Sequence, residues 1–177
     1  LVGQVYNDID QLVAGVRARV EAMRMEVLAA GQVTVKENGL NFTLDYHVPA
    51  EHKEALTGTN VWTNENSDPL ADIERWIDAL DTKPTRALTS RKIYRTIASH
   101  PKIIAAIFGK DSGRVVSQAD LDAFMETHGY PVIRTYDEKY KVQEANGKYT
   151  TKKYFPENKF AMFNDDLLGE TLYGPTA

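Results

Sequence analysis

Residues 20–46 read VEAMRMEVLAAGQVTVKENGLNFTLDY, and within them the period of the apolar residues changes from that of a helix to that of a strand. Upstream of the change, Val20, Met23, Val27 and Ala30 recur at spacings of three and four. Downstream, Val33 and Val35 alternate with polar residues, and Leu40, Phe42, Leu44 and Tyr46 do the same. Gly31 stands at the switch, a residue that tolerates the positive φ of a helix C-terminus. Asn38-Gly39 lies between the two alternating runs, and both residues accept the positive φ of a type I′ hairpin turn. The segment therefore predicts the end of a helix followed by a hairpin over 32–46. Each arm has one apolar face, so the hairpin is expected to lie on another surface.

Followed back toward Leu1, the helical stripe continues through Val16, Leu12, Ile9, Val5 and Val2, with Asp10, Arg17, Arg19, Glu21, Arg24 and Glu26 on the other faces. A helix over 2–30 is about 43 Å long at 1.5 Å per residue. A globule of this chain length has a radius of gyration of roughly 16 Å, hence a width near 40 Å. The helix is expected to brace a subunit, with incomplete burial of its stripe. A coiled coil is the less favoured reading, because Gly15 and a 3-4-4-3 interruption disturb the heptad. The sequence begins inside this helix, and the expectation is a piece of a longer protein.

Followed forward, residues 49–67 are polar and irregular, with Val61 and Trp62 as the sticky exceptions, and read as a polar hinge. Asp68-Pro69 then signals an N-cap and a first helical residue. Leu70, Ile73, Trp76, Ile77 and Leu80 share the face that follows. A strand is expected over 84–89, with Ser90 as the next cap. Pro101 should split two short helices, and Ser117 with Asp120 forms a capping box for a third. A strand at 132–136, a second hairpin across Asn146-Gly147, and the apolar run Phe160-Ala161-Met162-Phe163 complete the pattern. That run is short enough for a buried central strand. From Asp165 on, the tail with Gly169, Gly174 and Pro175 is expected to be extended. Helices packed on a sheet after residue 68 give an α+β class.

Composition narrows the functions. The 177 residues carry a net charge of −4 and no cysteine, so disulfides, thiol nucleophiles and thiolate metal sites are excluded. Net acidity argues against a dedicated nucleic-acid binder. No run of 18 apolar residues is present. His47, His52, His100 and His128 form no metal-ligand spacing, and Ser90 and Ser99 fall at expected helix caps without a nucleophile elbow. The pairs Asp120/Asp122 and Asp165/Asp166 are too close in sequence to face one point, and 109–113 lacks the spacing of a phosphate loop. No catalytic, cofactor or metal residue is assigned. Two basic stretches are noted. Arg86, Arg91, Lys92, Arg95 and Lys102 could serve a small DNA-binding regulator built on Arg91, Lys92 and Arg95. Lys139, Lys141, Lys148, Lys152 and Lys153, interleaved with tyrosines, could bind single strands. The preferred readings are a wet helix face and lysines that protect a strand edge.

One arrangement organises all of this: a long surface helix, an Asn-Gly hairpin, a polar hinge, and a compact α+β part. It resembles the Hong Kong 97-like fold of tailed-phage major capsid subunits, with a spine helix and hairpin in a peripheral domain and an α+β axial domain. The resemblance is to the phage major capsid protein E family, the lambda-type coat proteins. It rests on the order of four stretches: Ala29 to Val35, Ser67 to Glu74, Pro84 to Thr89, and Tyr154 to Phe160. It implies peripheral elements over 1–48, a hinge over 49–67 and an axial-domain-like part over 68–177. Family members are longer, with an N-terminal arm, an extended loop before the spine helix and C-terminal strands beyond what this sequence holds.

The resemblance further implies a structural coat protein of a phage or prophage that self-assembles into an icosahedral shell around DNA and catalyses nothing. Its partners would be copies of itself in capsomers, with scaffold, portal and decoration proteins, no specific nucleic-acid sequence and no membrane. Its location would be the virion, after synthesis in the host cytoplasm.

Overall fold

A computed structural model describes residues 2–37, 39–144 and 146–172, with side chains from residue 10 onward except residue 37. The elements are α1 (Val2–Ala30), β1 (Gln32–Glu37), β2 (Leu40–Asp45), α2 (Pro69–Asp78), β3 (Arg86–Thr89), α3 (Arg91–Ala98), α4 (Pro101–Phe108), α5 (Gln118–Thr127), β4 (Val132–Thr135), β5 (Lys139–Gln143), β6 (Tyr149–Lys153) and β7 (Phe160–Phe163). They fall into two compact units. The first comprises Leu1–Tyr46, Glu138–Tyr154 and Asp166–Ala177, and the second His47–Asp137 and Phe155–Asp165.

In the first unit, α1 stops at Gly31, whose φ of +70° admits no side chain without strain. The Gly31 N–H donates to the Val27 carbonyl at 2.6 Å, and the Gly31 carbonyl accepts from Tyr46 N–H, so the hairpin is pinned at both ends of its base. Glu26 accepts the Thr34 N–H at 2.9 Å and fastens β1 to the last turns of the helix. Ala22 and Val33 are buried. Farther up the helix the stripe is uncovered: Leu12 is 73% and Val16 51% exposed. The stripe positions Val2, Val5 and Ile9 lie outside the residues with described side chains.

β1 and β2 pair antiparallel with Val33 opposite Leu44 and Val35 opposite Phe42. Gly39 has the positive φ expected of its turn, while Asn38 lies outside the described residues. The second hairpin, β5 with β6, stacks Tyr140 on Tyr154 at 4.6 Å. Of the expected extended tail, Gly174 and Pro175 lie outside the described residues.

In the second unit, β3 is central, parallel to β4 and antiparallel to β7. The helices α3, α4 and α5 make the crossover between the parallel strands, as parallel pairing demands. Their inner faces place Ile97, Ile103, Leu121 and Met125 against Ile73, Ala87 and Ile133 in one buried core. Each fully buried Ile or Leu there contributes about 1.5–3 kcal/mol. The predicted caps are present. Asp68 accepts from Ala71 N–H, Ser90 from Ile93 N–H, and Ser117 and Asp120 cap reciprocally.

One expectation is corrected. The run 160–163 is an edge strand, half-buried at all four positions, and the central place belongs to β3. An apolar run reports burial, and β7 meets it by packing against the aromatic cluster of Trp62 and Trp76. The segment 49–67 lies within the second unit, where Trp62 and Ser67 are buried. Five side chains dock it on α2. Trp62 Nε1–H donates to Asp72, Arg75 pairs with both Asp72 and Glu54, and Trp76 Nε1–H donates to Glu54. Residues 47–67 go with the α+β unit, and the hairpin 139–153 goes with the long helix.

Candidate assembly surfaces

The residues weighed for chemistry are dispersed and individually explained by the fold. His100 is buried as the N-cap of α4. Its Nδ1 accepts from Lys102 N–H, and its Nε2 lies 3.1 Å from the Asn64 carbonyl and 3.2 Å from Ser67 Oγ. With Nδ1 an acceptor, Nε2 carries the proton and donates. His128 is exposed at the end of α5, its Nδ1–H donating to the Phe124 carbonyl and its ring stacked on Phe124 at 4.2 Å. His52 closes a short helical turn and His47 takes a φ of +53°. Ser90 and Ser99 sit at the two ends of α3. Asp120 caps α5 while Asp122 holds Arg134 at 2.8 Å, and Asp165 holds Arg86 at 2.7 Å. The 109–113 glycines bound a loop after α4, with positive φ at both ends. Among the described residues, no group of three or more His, Asp or Glu is placed to hold a metal ion.

The first basic stretch is broken up by pairing. Arg86 is held by Asp165 and lies over the Phe163 ring at 5.1 Å, and Lys102 pairs with Asp68 at 3.1 Å. Burial works against the Asp68 carboxylate, but the Ala71 N–H and Lys102 outweigh it and keep its pKa below the ordinary value. Arg91, Lys92 and Arg95 remain on the exposed side of α3.

The apolar surfaces are the unexpected feature. On β2, Leu40 is 59%, Phe42 41% and Leu44 51% exposed, and Tyr46 just beyond is 58% exposed. Their spacing of two puts all four on one face of the strand. On the same face, Val33, the cross-strand neighbour of Leu44, is buried, and the hairpin meets α1 chiefly through β1. The alternation of 40–46 was the signal for this face, and it gave no information on what covers it. Leu12, Val13 and Val16 add exposed apolar positions on α1. Beside them, an open groove of ≈ 710 Å³ runs along the helix, lined by Asp10, Val13, Arg17, Glu21, Arg24 and Tyr154. Burial and the neighbouring Glu21 raise the Tyr154 pKa, and Arg24 Nε–H donates to Thr171.

A two-stranded hairpin with one arm uncovered is marginal by itself, and contiguous exposed apolar patches mark interaction sites. Such faces are surfaces suited to contact with further protein. The chain belongs to the phage major capsid protein E family, whose sequence pattern it matches over residues 1–177. No curated protein matches the sequence. Among solved structures, a phage-related protein from Bordetella bronchiseptica RB50 is similar, with a TM-score of 0.59 at 18% identity over 96% of this chain and 49% of that one. A prophage protein of E. coli CFT073 assigned as a capsid protein is also similar, with a TM-score of 0.57 at 15% identity over 89% of this chain and 47% of the other. The chain thus spans about half the length of these structural relatives, and shares their α+β fold over that half.

Proposed function

We propose that this chain is the spine-helix, hairpin and axial part of a phage or prophage coat subunit that assembles with copies of itself into an icosahedral head shell enclosing DNA. The observation that carries this is the apolar face of Leu40, Phe42, Leu44 and Tyr46, left open along a strand in a member of a capsid family. Each contact of this size is modest. In a closed shell, contacts after the first are effectively intramolecular, so many modest faces add up to a stable particle. The 29-residue helix suits the role because a rigid rod carries contacts across a subunit.

In this reading the subunit is made in the host cytoplasm and ends in the virion, where scaffold, portal and decoration proteins are its further partners. It catalyses nothing. The net charge of −4 and the pairing of Arg86 and Lys102 work against phosphate binding, so its affinity for duplex DNA is weak and nearly independent of salt. Mass spectrometry of purified particles tests the reading. The chain is expected as a major component of the particle fraction. Its absence from particles of the phage or prophage that encodes it overturns the reading, as does tight duplex binding with a steep salt slope.

A further inference from the structure

The β1–β2 hairpin has two outer edges, and the fold treats them differently. Tyr46 N–H donates to the Gly31 carbonyl at 3.0 Å, which makes 31 and 46 a bonded pair. By alternation, 33 with 44, 35 with 42 and 37 with 40 are bonded too. The remaining pairs, 32 with 45, 34 with 43 and 36 with 41, turn their backbone groups outward. On the β1 side, Glu26 takes the outward Thr34 N–H at 2.9 Å, so α1 closes that edge. On the β2 side, among the described residues, nothing bonds the outward backbone groups of Asn41 or Thr43, and every residue of the strand is exposed.

Edge strands are ordinarily guarded by lysine, proline or a bulge. Residues 139–153 of the second hairpin hold five lysines. Residues 40–46 hold no lysine, arginine or proline, and the register of β1 with β2 runs without a bulge. Two strands alone are marginal, and further strands stabilise a sheet with an apolar face. The open groups are those of a β-ladder, so the occupant that fits them is another extended strand.

β2 is itself such a strand. The same edge of two copies can meet antiparallel about a two-fold axis, a closed contact in which one patch serves both sides. With Thr43 on the axis, Phe42 faces Leu44, Leu40 faces Tyr46, and Asn41 faces Asp45 of the second copy. Apolar residues then meet apolar residues, and the single charge meets a carboxamide. No like charges are opposed, which favours the pairing. The neighbouring registers that keep outward groups facing one another bring in either Gly39 of the turn or His47, whose φ of +53° leaves the strand conformation.

We propose that β2 pairs with β2 of a second copy across this two-fold, giving a four-stranded sheet in the order β1-β2-β2-β1. One face of that sheet carries the apolar residues of both copies. The pairing deepens the coat reading and rests on it, since a neighbouring subunit supplies the second strand.

Two variants test it in the protein expressed from its complete reading frame. Thr43→Pro removes the outward N–H and keeps the β1–β2 bonds, the situation in which a sheet tolerates proline. It is expected to reduce shells and capsomers at least tenfold by electron microscopy and sedimentation, with the melting of the subunit little changed. Thr43→Cys leaves the edge intact and places a thiol on the axis, where opposite Cα atoms are about 5.5 Å apart. A short bis-maleimide is expected to join the two introduced thiols in assembled particles, and peptide mass spectrometry identifies the product.

Shells from Thr43→Pro at the original yield overturn the proposal and leave the coat reading intact. So does absence of the thiol–thiol product from shells that form normally, which gives the edge to a different strand. If Thr43→Pro fails to fold, the thiol product decides alone, and its presence in shells supports the pairing. Absence of shells from the unaltered protein fails the coat reading itself, and the proposal falls with it.

Discussion

The indole N–H of Trp62 donates to the Asp72 carboxylate at 2.8 Å, and both residues are buried. Asp72 is held on its other oxygen by Arg75 at 2.9 Å, and Arg75 reaches on to Glu54. One carboxylate on α2 thereby fixes a segment whose composition is that of a linker. Asp72→Ala leaves a buried indole donor unpaired and is expected to lower stability by about 1–3 kcal/mol. Urea unfolding followed by tryptophan fluorescence measures this, since Trp62 reports its own environment. Trp62→Ala is expected to cost more, about 3–5 kcal/mol, because it also empties part of the core.

The Glu54 carboxyl is held below its ordinary pKa of 4.5, first by the Arg75 guanidinium and then by the Trp76 indole. A folded pKa below the unfolded one contributes stability that is complete above the unfolded value and is lost as pH falls through the folded value. Glu54→Gln should therefore be less stable than the original protein near neutrality, and the two should converge as pH falls through the folded pKa. The difference stays within about 1 kcal/mol, because the pair is largely exposed. Thermal melts across the acid limb check both the sign and the convergence.

Tyr130 is pushed up to about 12, first by burial and then by donation of its O–H to Glu74. Here the folded pKa is the higher one, so the contribution is complete below the ordinary value of 10 and is lost as pH rises through about 12. Glu74→Gln should bring the Tyr130 titration down toward 10. The difference in tyrosinate absorbance between each protein and its Tyr130→Phe counterpart isolates this one group.

Ser117 and Ser90 cap helices in different surroundings. Ser117 is exposed in its capping box, and Ser117→Ala is expected to cost about 1 kcal/mol. Ser90 is fully buried, accepts from Ile93 N–H, and donates to the Glu157 carbonyl at 2.6 Å. Ser90→Ala loses the cap and strands a carbonyl, so it should cost more, about 1–3 kcal/mol. Parallel urea titrations of the two variants give the order.

Most local structure was legible because its causes are local. The bounds of α1, the caps Asp68, Ser90 and Ser117, the break at Pro101 and both hairpins follow from periodicity, capping oxygens and turn residues. What was hidden depends on partners distant in sequence. Nothing within Phe160–Phe163 says that β3 takes the central place, because an edge strand beside Trp62 and Trp76 needs the same apolar run. Trp62 looked like one apolar residue in a polar stretch, and its place in the core depends on Asp72, ten residues on. The apolar residues of β2 announced a face to be covered, and these 177 residues leave it about half-exposed.

That open face carries the central claim. Phe42→Ser with Leu44→Ser should change the melting of the chain little, since half-exposed side chains contribute modestly, about 1 kcal/mol in all. Assembly should fail. Electron microscopy of the protein expressed from its complete reading frame, with and without these two substitutions, is the direct measurement. The account predicts closed shells or capsomers from the unaltered protein and soluble, folded, unassembled subunits from the variant. Monodisperse monomers from the unaltered protein under all assembly conditions, with and without co-expressed scaffold, would contradict it.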